Sequence, residues 1–148
     1  MAYASDTSVI VRLYDSDLSK KEIVEKAFDK IRLNGKELVI FPQVLVEFWA
    51  VATRPKDVNG LAMTASEAEK ELENLQRLFK FLPDDSRIFK EWQRVVTKYK
   101  VSGKTTHDAR IAAAMNVHKI ESIVTLNSDD FKRFTEFITL TPQQVLAN

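Results

Sequence analysis

Asp6, Glu47, Asp108 and the pair Asp129-Asp130 are the residues of this chain placed best for chemistry. Asp6 follows the opening segment, and Glu47 lies one turn into the helix expected after VIF. Asp108 falls in the first turn of an alanine-rich helix, and Asp129-Asp130 come after IVTL. In a parallel α/β sheet, ligands gather outside the carboxyl ends of the strands, so acids at these positions can converge. Magnesium and manganese prefer carboxylate and water oxygens in octahedral geometry, and three or four converging acids can supply them. A cation so held activates water and stabilises charge on a phosphate, which makes phosphodiester hydrolysis the reaction class to expect.

Glu47 is the most telling of these acids. Val44, Leu45, Val46, Phe48, Trp49 and Val51 surround it, so its helix is apolar nearly all round and is expected to be buried. A buried carboxylate needs a partner, a metal or a proton, and an ion pair with Arg54 or a tilt toward solvent is the ordinary alternative. Taken singly, Asp6 reads as a helix cap, Asp108 as a complement to its helix dipole or a partner of Thr105 or Thr106, and Asp129 and Asp130 as turn residues. Only the joint pattern carries the argument. His107 and His118 lack the i, i+4 spacing of a helical zinc pair, and Trp49, Trp92, Phe79 and Phe81 read as core. No glycine-rich phosphate or dinucleotide fingerprint is present.

Those acids depend on alternating strands and helices. KKEIVEKAFDKIRLNG sets Ile23, Val24, Ala27, Phe28 and Ile31 on one helical face and stops at Asn34-Gly35. ELVIFP has the continuous apolar run of a buried parallel strand, and QVLVEFWAVATRP reads as a helix ending before Pro55. Lys56 to Met63 is a loop, Thr64 to Glu67 a capping box for a long helix, and Phe79 to Leu82 a short strand. Asp84 and Asp85 favour the start of a helix running to Tyr99, and Thr106 is expected to cap HDARIAAAMNVHK. ESIVTLN and EFITL supply strands, DDFKRF a turn, and a short helix follows Pro142. VIVRLY fits either a strand or a helix. The alternation predicts an α/β fold, a parallel sheet covered on both faces.

The 148 residues, 45% hydrophobic, suit one domain over residues 1–148, and three glycines and four prolines leave no linker. Zero cysteines exclude disulfides and thiolate metal sites, leaving oxygen or imidazole as ligands. The N-terminus lacks the pattern of a secretory signal and no stretch is long enough to span a bilayer, so a cytoplasmic protein is expected. A net charge of +1 gives no global attraction to nucleic acid, which would have to come from local clusters.

SDTSVIVRL, VLVEFWAVATRP, HDARIAAAM and IVTLNSDDF come in the order and spacing of a PIN domain, and the chain resembles VapC-type toxins most. The likeness covers essentially the whole chain. It implies a Rossmann-like, three-layer α/β/α sandwich around a mainly parallel sheet, a Mg2+ or Mn2+ site, and endonucleolytic hydrolysis of single-stranded RNA or of structured RNA with exposed loops. It also implies an enzyme that is often a homodimer and is inhibited by a cognate antitoxin protein. By position, the resemblance makes Asp6 the strand-end ligand, Glu47 the helix ligand and Asp108 the third acid. Some relatives carry a fourth acid two residues after the strand-ending threonine; Asn127 stands there after Thr125, so Asp129 or Asp130 would take that place. Thr7 and Ser8 resemble the small hydroxyl residues beside the first acid, with Thr125 and Asn127 in the same supporting ring. RNA would approach along Arg54 and Lys56 after the Glu47 helix, and along Lys98, Lys100 and Lys104 before the Asp108 helix. Two other readings stay open: a PIN-like module that binds RNA or protein without catalysis, and a metal-dependent phosphohydrolase of small phosphate esters.

Overall fold

The computed structural model describes residues 1–148. The chain runs β1 (Ala2–Ser5), α1 (Thr7–Arg12), α2 (Leu18–Leu33), β2 (Glu37–Ile40), α3 (Pro42–Thr53), a 3₁₀ turn (Lys56–Val58) and α4 (Ala65–Leu78). It continues through β3 (Lys80–Phe81), α5 (Ile88–Lys98), α6 (Thr105–His118), β4 (Ser122–Val124), α7 (Ser128–Phe131), β5 (Ile138–Leu140) and α8 (Pro142–Ala147). The five strands form one sheet in the order β3-β2-β1-β4-β5, with every neighbouring pair parallel. The helices pack in two groups, α1–α4 with α8 and α5–α7, giving the three layers that the sequence predicts.

This order determines where a site can form. From β1 the chain crosses to β2 and β3 on one side, then returns past β1 to β4 and β5 on the other. Connections therefore leave β1 and arrive at β4 in opposite senses, and a crevice opens outside the carboxyl ends of these adjacent strands. Asp6 directly follows β1 and Thr125 directly follows β4, and the Asp6 amide donates to the Val124 carbonyl at 3.2 Å.

Local signals account for most element boundaries. The Asp17 carboxylate caps α2, and Gly35 takes the left-handed conformation (φ +73°) that reverses the chain after it. Pro42 opens α3, and the Thr64–Glu67 capping box is formed on both arms. Of VIVRLY, the first four residues are helical, capped by Asp6, and Leu13-Tyr14 form the turn that follows. Ala109, Ala112 and Ala113 are fully buried, and their small side chains let α6 lie close against the rest of the core.

Three expectations are corrected. Asp85 does not start α5: its carboxylate accepts the Arg87 amide and pairs with the Arg87 guanidinium, closing a turn that delays the helix to Ile88. Thr106 does not cap α6, because both threonines are already helical and no side chain caps that end. Nor is α3 enclosed. Val46 is 69% exposed and Ala50 lies at the surface, so the helix buries one side only and its apolar composition overstates its burial.

Candidate functional site

A cleft of about 350 Å³ lies over the carboxyl ends of β1 and β4, lined by Asp6, Glu47, Asp108, Arg54 and Asn127 among others, with Ala50, Val51 and Ile111 giving it an apolar wall. Asp6 is its most deeply set acid, 4% exposed. Ser8 Oγ donates to Asp6 Oδ1 at 2.6 Å and Thr125 Oγ1 to Oδ2 at 2.6 Å, while the Val9 amide caps onto Oδ1 at 3.4 Å. Each hydroxyl also accepts, Ser8 from the Leu126 amide at 3.1 Å and Thr125 from the Asn127 amide at 2.9 Å. The chain after β1 is thus laced to the chain after β4 through the carboxylate of Asp6. Burial pushes the Asp6 carboxyl above its ordinary range, the two hydroxyls and the Val9 amide pull it down, and the charge of Glu47 adds to the rise.

Glu47 is part-buried, and its partners are not the Arg54 ion pair weighed as an alternative. Thr7 Oγ1 donates to Oε1 at 2.5 Å and Gln43 Nε2 to Oε2 at 3.4 Å, while Arg54 donates to the Asn59 carbonyl. Asp108 is bound by neither Thr105 nor Thr106. Burial and the charges of Asp130, Asp6 and Glu47 push its carboxyl up to about 6, only weakly opposed by His107. Asp108 therefore stands within electrostatic reach of Asp130, Asp6 and Glu47, and Asp6 within reach of Glu47. Asp129 does not join them: its side chain is 96% exposed and pairs with Lys132 on the outer side of the one-turn α7.

Of the basic residues expected to receive RNA, Arg54 alone lines this cleft. Lys56 borders a neighbouring groove with Gly60, and Lys104 is exposed just before α6. Lys98 is displaced from it: its ammonium pairs with Glu136, which Asn116 also contacts, placing it toward the end of α6 remote from Asp108. Lys100 is exposed in the following turn.

Gln43, Arg110 and Gly60 escaped the sequence reading. Gln43 reaches α6, and Arg110 pairs with Asp84 at 3.2 Å. A Cβ on Gly60 would lie 2.0 Å from the Arg54 carbonyl oxygen, so only glycine lets the loop fold back on the end of α3 and hold Arg54 beside the cleft. A glycine in a polar loop signals a turn; nothing in the sequence says which backbone it must pass.

As donors, these residues suit a hard divalent cation. They are carboxylates crowded together with no bound cationic side chain, and each carboxylate oxygen keeps lone-pair capacity beyond the bonds described. No three His, Asp or Glu side chains stand close enough to ligate one ion together, so a complete ligand set is not preformed. No helix is long and apolar enough to cross a membrane.

A family profile described as PIN domain matches residues 3–136. No curated protein matches the chain. Among solved structures, the chain is similar to one of VapBC2 from Rickettsia felis bound to a DNA fragment from their promoter, with TM-score 0.74 and 16% identity over 95% of this chain and 98% of that one. It is also similar to VapBC-1 from nontypeable Haemophilus influenzae, with TM-score 0.71 and 17% identity over 97% and 99%. A third is VapBC-5 from Mycobacterium tuberculosis, a member of the VapBC family of toxin-antitoxin systems, with TM-score 0.56 and 17% identity over 95% and 98%. At such identities the likeness is one of fold.

Proposed function

This chain belongs to the PIN-domain family, and on that premise we propose that it is a divalent-metal-dependent endoribonuclease acting on single-stranded RNA, the toxin of a toxin-antitoxin pair. One observation carries the reading: Asp6, Glu47 and Asp108 line one cleft at the switch point of the sheet, where burial first and then the charges of Asp130, Asp6 and Glu47 drive Asp108 toward its neutral form, a concentration of negative charge that a cation would relieve. Mg2+ or Mn2+ would be held among Asp6, Glu47, Asp108 and Asp130, by some of these carboxylates directly and by the others through waters of its shell, as is usual when few carboxylates bind magnesium. When bound, such an ion supplies the Lewis acidity that activates water and offsets charge on the phosphate.

The chain's own residues do the rest. Ser8 and Thr125 hold Asp6 in one orientation, and Thr7 does the same for Glu47. Arg54 contributes a cation at the wall of the cleft, where a phosphate of the strand would lie against it. The cleft opens to the surface, which suits a polymer better than a small ester. The VapBC relatives motivate the antitoxin partner. A second reading, a PIN-like module that binds without cutting, draws on the absence of a preformed three-acid ligand set.

Cleavage of a labelled single-stranded RNA with Mg2+ or Mn2+ separates the two. The nuclease reading expects metal-dependent cutting that falls by about 100-fold or more in each of Asp6→Asn, Glu47→Gln and Asp108→Asn, since a bound ion supplies several kcal/mol to such transition states. Cutting that survives in all three, or needs no metal, would overturn it. RNA binding without cutting would favour the module.

A further inference from the structure

Glu47 and Asp108 sit on helices from opposite layers of the sandwich, α3 and α6. Every hydrogen bond that joins α3 to α6 runs through the side-chain amide of Gln43. Its Nε2 donates to the carbonyl of His107, the residue before Asp108, at 2.7 Å, and reaches Glu47 Oε2 at 3.4 Å. Its Oε1 accepts from Arg110 Nη1 at 3.4 Å, and Arg110 is anchored in turn on Asp84 at 3.2 Å. With all its polar atoms engaged, the amide has one workable orientation. Turned over, its oxygen would face two acceptors and its NH₂ would face a guanidinium.

We propose that Gln43 is the positioning residue of the cation site, tethering the Glu47 helix to the Asp108 helix so that the two carboxylates meet one ion from fixed directions. Residues that only orient metal ligands contribute measurably to affinity, because a ligand left free to wander must be ordered when the ion binds. Gln43 orients on both sides at once. With Thr7 on the other oxygen it fixes the Glu47 carboxylate, and through the His107 carbonyl it fixes the first turn of α6. A water-exposed glutamine of no consequence would have neither contact.

The proposal rests on the cleft being a cation site, and the test keeps the two apart. Mn2+ is titrated into the RNA-free protein by calorimetry, with thermal unfolding followed in parallel. Gln43→Met keeps the length of the side chain and removes its polar atoms; Gln43→Asn keeps the amide but shortens its reach to α6. Both are expected to weaken Mn2+ binding by about 10-fold, with unfolding midpoints within about 3 °C of wild type, and any loss of RNA cleavage should be recovered at higher Mn2+. Should Gln43→Met not fold, Gln43→Asn carries the same expectation. Wild-type Mn2+ affinity in the folded variants would overturn the role of Gln43 alone, provided Glu47→Gln and Asp108→Asn abolish binding. If those two variants bind Mn2+ normally, or the wild type binds none, the cation site fails and the tether falls with it.

Discussion

Asp6 and Asp108 face one cleft, and burial drives both carboxyls toward the neutral form, but the chain surrounds them in opposite ways. Asp6 receives two hydroxyl donors and a helix amide, and those hydroxyls relay the connection to the chain after β4. Asp108 is part-exposed, meets the charges of three other acids, and is kept in place by the buried residues of its own helix, Ala109, Ile111 and Ala112. A hydrogen-bonded carboxylate strengthens a fold, whereas one facing like charges weakens it until something positive arrives. Asp6 therefore belongs to the architecture as much as to the site, and Asp108 belongs to the site at the expense of the architecture.

Replacing Asp6 tests the first half of that contrast and should have the largest effect on stability. Asp6→Ala removes the cap of α1 and leaves the Ser8 and Thr125 hydroxyls without their acceptor, a loss of about 3 kcal/mol. Urea unfolding of the metal-free protein measures it, and a loss under about 1 kcal/mol would mean the lacing is ornamental. Thr125→Val isolates one strand of the lacing. The shape is kept, but Asp6 loses a donor at the fully buried Thr125 and the part-buried Asn127 amide loses an acceptor. The expected cost is about 2 kcal/mol in the same measurement.

The contrast also explains what the sequence could tell. Parallel strands buried on both faces are written as continuous apolar runs, so ELVIF and ESIVTL were legible, and capping boxes and Asn-Gly stops are local signals that need no tertiary context. The acids were legible as candidates because each lies just beyond such a run. Their environments were not. Glu47 looked the most buried because its neighbours in sequence are apolar, but burial is decided by what covers each face, and one face of α3 is open at Val46 and Ala50. Asp129 and Asp130 are equivalent as letters. A single turn of helix, α7, sends one to solvent and the other within reach of Asp108. Gln43 and Gly60 act through contacts with segments distant in the chain or with a particular backbone carbonyl, and no pattern along the sequence encodes either.

Asp108→Asn tests the other half of the contrast, and its sign is opposite. The folded-state carboxyl sits at about 6 against an ordinary value of 3.8. The folded chain therefore binds this proton more tightly than the unfolded chain, and stability is lost as pH rises from about 4 to about 6. The neutral amide escapes that loss. In metal-free protein, Asp108→Asn should be more stable than wild type by about 1 kcal/mol at pH 7.5, a rise of about 3 °C in melting temperature, and the gain should vanish near pH 4. Calorimetric melts across that range check it; a variant less stable than wild type at pH 7.5 would place Asp108 with Asp6, among the residues that hold the fold.

The smallest effect separates the two acids of α7. Asp130 raises the Asp108 carboxyl second only to burial, whereas Asp129 is exposed, paired with Lys132 and absent from the charges acting on Asp108. Neither substitution should move stability by more than about 0.5 kcal/mol, the usual range for a surface change away from special features. The Asp108 titration, followed by carboxyl-carbon NMR in metal-free protein, is the sharper readout. Asp130→Asn should bring its midpoint down from about 6 toward the ordinary carboxylate range, and Asp129→Asn should leave it in place. Equal shifts in both variants would mean that Asp108 senses the general charge of this end of the molecule and not a neighbour in the cleft. Asp130 would then lose its claim to the fourth acidic position, and the crowding behind the proposed cation site would have to rest on Asp6 and Glu47 alone.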